Sequence, residues 1–416
     1  MKTFAQSDLV VIGGGASGLM CAVQAAQSGC SVLILDANRQ LGRKLRLTGK
    51  GRCNLTNNCT IAEFMQNIPG DGRFLYSALN RFSPQDVMAF FEVNGVPVKT
   101  ERGARVFPCS DRADDIADCL VRLCTEAGVK TVRTRADSIL LEDTSVSGVH
   151  TPEGVIACRA VCLCTGGLSY PLTGSDGTGY KMAQAVGHTI VPLHPSLVPL
   201  ESDDAFCREL QGFSLKNVTL SAYKNEKLIF RELGEMLFTH FGVSGPLVLS
   251  ASAHMRGFAA KTYRLEVDLK PGLGEEKLDA RILRDFAAQP NRALHNVIPG
   301  LTGRSMAPVV LSLAGIDGST PVHAVTQEQR TALRRVLKAF PISVSGTRSV
   351  DEAIVTSGGI STKEVNPRTM ESKIVSGLHF AGEVLDLDAY TGGFNLQIAW
   401  STAFVAADAV TKSLFY

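Results

Sequence analysis

Short apolar runs broken by glycine set the rhythm of the first part of the chain. Leu9-Val10-Val11-Ile12 is continuous rather than alternating, the pattern of a strand buried on both faces. Gly13-Gly14-Gly15-Ala16-Ser17-Gly18 follows, then an alanine-rich stretch with helical spacing up to Gly29, then Val32-Leu33-Ile34-Leu35 and Asp36. This succession predicts strand, glycine turn, helix and second strand over residues 7–36. Residues 41–58 read as a polar connection rich in glycine and lysine. Residues 83–94 read as a helix with Ser83 at the cap, Pro84 at the first position and Asp86 in the first turn. A second helix is expected over 111–127, closed by Gly128. Strand-like runs over 131–141 and 154–164 precede a helix between Gly177 and Gly187.

Beyond Pro192 the pattern changes. Strand-like segments (218–223, 227–230, 263–269) dominate, with helical spacing over 275–288 and 326–339. From Ser357 the glycine turns return. Residues 378–383 read as a short buried strand ending at a carboxylate, and 395–410 as an apolar helix. The order predicts a nucleotide-binding domain of residues 1–192, interrupted by a β-rich insertion over 193–344 with a helical part at about 272–340, and completed by 345–416.

Composition narrows the class. The 416 residues are 45% hydrophobic and 20% charged, as in an ordinary soluble globular protein. A formal net charge of +2 supplies no global field for nucleic acid. No apolar run reaches membrane-spanning length, and Met1-Lys2-Thr3-Phe4 passes directly into the first strand rather than into a signal peptide. A cytoplasmic chain is therefore expected. The eleven cysteines include no CxxC pair, so neither zinc nor another metal is predicted. Cys162 and Cys164 would share one face of a strand as small hydrophobes.

The glycine turn carries the chemistry. Gly13 permits a sharp turn, Gly15 lets backbone approach a pyrophosphate, and Gly18 allows helix and strand to pack closely. The first helical residues, Ala16 and Ser17, would point N–H groups at phosphate, and Asp36 would accept a ribose 2′-hydroxyl. Arg43, Lys44, Arg46, Lys50 and Arg52 form a stretch of five cations without an acid. It reads either as a solvated basic loop or as an anion site for a cofactor, NAD(P)H phosphates or an RNA backbone.

Several motifs taken together resemble one family. They are GGGASG with Asp36; Gly42-Arg-Lys through Gly51-Arg-Cys-Asn-Leu-Thr-Asn57; Cys164-Thr-Gly-Gly-Leu-Ser-Tyr-Pro171; Phe238-Thr-His240 through Ser244-Gly-Pro246; Thr356-Ser-Gly-Gly-Ile360; and Phe380-Ala-Gly-Glu-Val384 with Thr391-Gly-Gly-Phe-Asn-Leu-Gln397. The chain is similar to the BaiN/RdsA-type (YhiN-like) NAD(P)/FAD-dependent oxidoreductases of the two-dinucleotide-binding flavoprotein superfamily. The resemblance implies an α/β fold: a Rossmann-like, glutathione-reductase-like FAD-binding domain interrupted by the β-rich insertion with its small helical subdomain. It implies FAD, with Arg43 and Lys44 beside the pyrophosphate and Arg52 and Asn54 nearby. Thr165, Gly166 and Gly167 would form a cofactor loop, and Ala136 would contact adenine through its backbone. Gly382 and Glu383 would meet the ribityl chain, while Gly393, Phe394 and Asn395 open a helix toward the flavin N1/O2 edge. NAD(P)H would visit as a transient donor. For the proton-handling residues, Cys53 is one candidate, its thiol pKa expected to be lowered by neighbouring cations. His240, in the insertion that would cover the flavin, is the other; Tyr170 and Tyr390 are weaker ones. The activities implied are reduction of a conjugated C=C bond, either in uridine of large-subunit ribosomal RNA or in an unsaturated bile-acid steroid, or else oxidation of an amine or aminoketone with O₂. The substrate is thus RNA or a small molecule, and the sequence leaves the oligomeric state open.

Overall fold

The apolar runs meet at the centre of a sheet. In the computed structural model, which describes residues 3–258 and 262–415, β1 (Thr3–Ile12) ends in four buried residues and β2 (Val32–Leu35) is buried throughout. Met1 and Lys2 of the amino-terminal reading lie outside the described residues. The two strands run parallel, with Leu9 opposite Val32 and Ile12 opposite Leu35. Between them lies α1 (Ala16–Gln27), as a right-handed βαβ unit requires. The strand Gly154–Leu163 pairs with the other edge of β1 in parallel. Its last residues carry the short strand Leu378–Phe380 in parallel, so the carboxy-terminal segment re-enters the first sheet. Its first residues carry an antiparallel hairpin, Ser138–Glu142 with Ser145–Thr151.

The final helix, Phe394–Phe415, is buried on most sides and packs on α1. That is why it reads as uniformly apolar rather than amphipathic. Trp400 is fully buried in it and donates its indole N–H to the Leu55 carbonyl at 2.9 Å.

By internal contacts the chain divides into two compact units, Met1–Ser196 with Val350–Tyr416, and Leu197–Ser349. The second is built on an antiparallel sheet around Ser214–Lys224, Lys227–Thr239, Tyr263–Asp268 and Phe340–Val344. Tyr263–Asp268 alternates buried and half-buried positions, so one face meets the core. Helices Glu275–Ala287 and Gln327–Lys338 pack against each other, the latter opened by a capping box from Thr326 and Gln329.

Three local expectations differ from the structure. Residues 131–141 form two strands, Lys130–Val132 and Ser138–Glu142, because the first edges the parallel sheet and the second starts a hairpin. The supposed connection over 41–58 contains α2 (Arg43–Gly51), with Thr48, Gly49 and Lys50 outside helical angles. Its start is fixed by a long-range bond, Gly42 N–H to the Gly14 carbonyl at 2.8 Å. Strand 227–230 extends to Thr239, since Arg231, Glu232 and Leu233 face solvent and break the apolar signal. Among the described residues no helix is long and apolar enough to cross a membrane, and no group of three or more His, Cys, Asp or Glu is placed to hold a metal ion.

Candidate functional site

The three fingerprint glycines do different work. Gly13 has φ +102°, and a Cβ there would stand 2.6 Å from the Cys164 carbonyl oxygen. At Gly18 a Cβ would lie 1.8 Å from the Gly13 oxygen, so helix and turn touch directly. At Gly15 a Cβ would meet nothing within 4 Å. Two glycines are therefore required for packing and the third borders open space at the head of α1, whose first turn has no side-chain cap. Uncapped N–H groups facing open space suit phosphate.

Asp36, at the end of β2, accepts from Gly14 N at 2.7 Å through Oδ2, and from Asn38 N and Nδ2 at 2.7 and 3.0 Å through Oδ1. A carboxylate offers about four acceptor positions, so it retains capacity for a ribose hydroxyl. Asn38 also binds the Thr173 carbonyl at 2.9 Å and takes Arg43 Nη1 at 3.2 Å, tying β2 to the loop after Gly154–Leu163.

The carboxy-terminal segment closes on this turn. Ser17 Oγ lies 2.7 Å from where a Gly382 Cβ would be, and Gly382 N donates to Thr402 Oγ1 at 2.9 Å. Glu383 accepts from Lys44 Nζ at 2.6 Å, Thr356 N at 2.9 Å and Ser169 Oγ at 3.1 Å. Thr356 Oγ1 accepts from Leu168 N and Ser169 N, and a Cβ on Gly167 would be 2.4 Å from it. Lys44 and Glu383, read from sequence as separate cofactor ligands, are each other's partners. Ser169, Thr356, Thr402 and Asn38 were missed by sequence reasoning, although Ser169 and Thr356 lie within the glycine-bearing motifs.

The acid-free basic stretch finds its acids in space. Arg46 pairs with Asp114 and Asp118 at 2.6 and 2.5 Å. Arg52 pairs with Glu101 and Asp111 at 2.6 and 2.5 Å and lies over the Phe107 ring. Among the described residues only Arg43 and Lys50 of the five have no ion pair, so three of the five cations are already matched by acids.

The expectation for Cys53 is corrected. Arg52 is turned toward its two carboxylates, and burial pushes the Cys53 thiol up to about 12 despite a hydrogen bond with Thr48. The residue has φ +57° and is fully buried, its N–H on the Thr48 carbonyl at 3.0 Å. Beside it, Asn54 Oδ1 is buried without a hydrogen-bond partner, and so is Thr165 Oγ1, next to Cys164 at the end of the central strand. Buried polar atoms without partners ask for a ligand. Together with the open face at Gly15 and the residual capacity of Asp36, they fit a dinucleotide.

At the head of the final helix, Gly393 has φ +101° and packs so closely on Thr56 that a Cβ would be 2.3 Å from its oxygen. Phe394 meets Phe64 edge to face at 5.0 Å. Asn395 spends its side chain on the loop before it, accepting from Ala389 N and donating to the Ala389 and Tyr390 carbonyls, which fixes the helix start. Ala136 is buried in the loop 133–137 and Gly166 has φ +70°. His240 is exposed at the tip of the Lys227–Thr239/Gly242–Ser244 hairpin of the second unit, edge-on to Phe241 at 5.0 Å.

The chain is 32% identical over 403 residues to the ribosomal RNA dihydrouridine synthase of Escherichia coli K12, covering 96% of this chain and 97% of that one. It is 30% identical over 414 residues to the 3-dehydro-bile acid delta(4,6)-reductase of Clostridium scindens, covering 97% and 98%. Among solved structures, the 3-ketosteroid-delta4-(5alpha)-dehydrogenase of Rhodococcus jostii RHA1 shares the fold, with a TM-score of 0.57 at 15% identity over 99% and 98% of the two chains. Residues 7–409 match the family described as HI0933-like protein Rossmann domain. The chain belongs to the HI0933-like family.

Proposed function

We infer that this protein, an FAD-dependent oxidoreductase, takes hydride from NAD(P)H and delivers it to a C=C bond conjugated with a carbonyl, that of uracil in large-subunit ribosomal RNA. The observation carrying the reading is end-to-end similarity to two relatives whose names describe one operation on different molecules. Dihydrouridine is uridine with its ring C=C saturated, and delta(4,6)-reduction saturates the C=C bonds of a steroid. Both need hydride at one carbon and a proton at its neighbour. The RNA substrate rests on the dihydrouridine synthase relative. The basic stretch adds little to it, since Lys44, Arg46 and Arg52 are neutralised by acids. A ribosomal substrate implies a cytoplasmic site of action.

In this reading Asp36 holds the adenosine ribose, the Gly15 face and first turn of α1 take the pyrophosphate, and Asn54 and Thr165 supply polar contacts to the cofactor. The positive end of the final helix favours negative charge at its head. When bound and reduced by the nicotinamide, FAD would supply the hydride. The single fingerprint makes NAD(P)H a visitor rather than a second resident.

Ribosomal RNA from a strain lacking the gene should lose a dihydrouridine that plasmid-borne wild type restores, as read by mass spectrometry. Unaltered dihydrouridine removes the RNA substrate. Anaerobic reduction of the flavoprotein by NADH or NADPH, then reoxidation by an rRNA fragment or by an unsaturated 3-ketosteroid, separates the substrate classes directly.

A further inference from the structure

Tyr170 stands in a left-handed backbone conformation. Its φ and ψ are +56° and +55°, a left-handed region that bulky L residues adopt only under constraint. The constraint is local: the Tyr170 carbonyl accepts from both Thr173 N and Thr173 Oγ1, at 2.8 and 2.7 Å, and Pro171 follows. The preceding residue, Ser169, is fully buried and joined to both Lys44 and Glu383. The turn thus keeps Ser169 inside and sends the next ring outward. Tyr170 is 37% exposed and Lys44 Nζ stands 5.7 Å from the centre of its ring. Leu172 is 84% exposed, and Ile354, whose carbonyl accepts from Ser169, is also exposed.

We propose that Tyr170 is the stacking platform for an unpaired pyrimidine base of single-stranded RNA. The inference rests on the uridine-reducing reading above and names how that substrate is gripped. A fixed aromatic ring beside the Lys44–Glu383 pair matches a flat conjugated base, which stacks on it face to face. Chemistry on a base requires it to leave its helix, and aromatic side chains receive such bases in a sequence-tolerant way.

The test is binding of a fluorescein-labelled oligouridylate to the FAD-loaded protein, with flavin content measured in the same samples. Tyr170→Phe should bind within twofold of wild type, and Tyr170→Ala about tenfold more weakly, as expected for loss of one base–aromatic stack. Tyr170→Gly removes the ring while relieving the left-handed strain, so it should keep the wild-type melting temperature and still bind about tenfold more weakly. Flavin content should be unchanged in all three. Wild-type affinity in Tyr170→Gly overturns the proposal, and so does loss of flavin, which would make the ring part of the cofactor site. If wild type itself fails to bind oligouridylate while an unsaturated steroid reoxidises its reduced flavin, the RNA reading falls and takes this inference with it. Binding by wild type with no effect of Tyr170 sinks the inference alone.

Discussion

A valine at position 15 would fill space that no protein atom occupies, whereas an alanine at position 18 would collide with the Gly13 carbonyl at 1.8 Å. The two substitutions should therefore separate binding from folding. Gly15→Val is expected to keep the wild-type melting temperature and purify colourless; a yellow preparation would mean that this face does not take the cofactor. Gly18→Ala is expected to lose about 2 kcal/mol or more in denaturant unfolding, the cost of forcing a methyl into a packed turn. Cys53 gives a chemical contrast. Its thiol is buried and held protonated, while Cys109 is exposed. Iodoacetamide at pH 8 should label Cys109 in the native protein and Cys53 only after unfolding, as read by peptide mass spectrometry. Labelling of native Cys53 would contradict its assigned surroundings. The glycines and Asp36 could be read from sequence because their roles are set within one βαβ unit. The partner of Glu383 could not, because Lys44 lies 339 positions away and nothing local announces the pair.

The elements around the turn are held by buried polar groups, and these are where single changes should act most. Gln397, fully buried on the final helix, accepts from Thr56 Oγ1 at 2.6 Å and donates to the Phe82 carbonyl and Ser401 Oγ at 3.0 and 2.9 Å. Gln397→Leu strands the Thr56 hydroxyl, while the Phe82 carbonyl keeps its bond from Ser401 Oγ, and should destabilise the protein by about 2 kcal/mol; an unchanged unfolding midpoint would show the network to be dispensable. His188 follows the helix Thr178–Ala185. Ser372 Oγ already accepts from Ile374 N and Val375 N, so its proton must go to His188 Nε2, leaving Nδ1–H to face Glu364 at 3.3 Å. Burial makes a second proton costly, and that proton has no acceptor on the Ser372 side, so the His188 pKa lies below its ordinary 6.5 despite Glu364. The sign follows: the unfolded chain binds the proton more readily, so the contribution is complete above pH 6.5 and shrinks as pH falls below it. The melting temperature should drop between pH 7 and pH 5, and drop less in His188→Gln. Equal drops would remove His188 from the account. Helices with caps and clean periodicity were legible, as with Pro84–Val93 and its Ser83/Asp86 box. α2 was not, because its start depends on Gly14 and its basic side chains on distant acids.

At the scale of the molecule, the chain leaves the first sheet, builds a second unit and returns to add Leu378–Phe380 beside Gly154–Leu163. The return was visible in outline because a short apolar strand ending in a glycine and a carboxylate recurs late in the sequence. What periodicity could not supply is the docking: Ser17 against Gly382, Gly393 against Thr56, and Trp400 on the Leu55 carbonyl. Those contacts bring the two ends of the chain around one turn, and the account depends on that turn holding a flavin. The most direct measurement is the flavin-to-protein ratio of wild type and Gly15→Val after incubation with excess FAD and exhaustive desalting. The account predicts a single FAD per wild-type chain and almost none on the variant. A colourless wild type, or equal loading of both proteins, would contradict it.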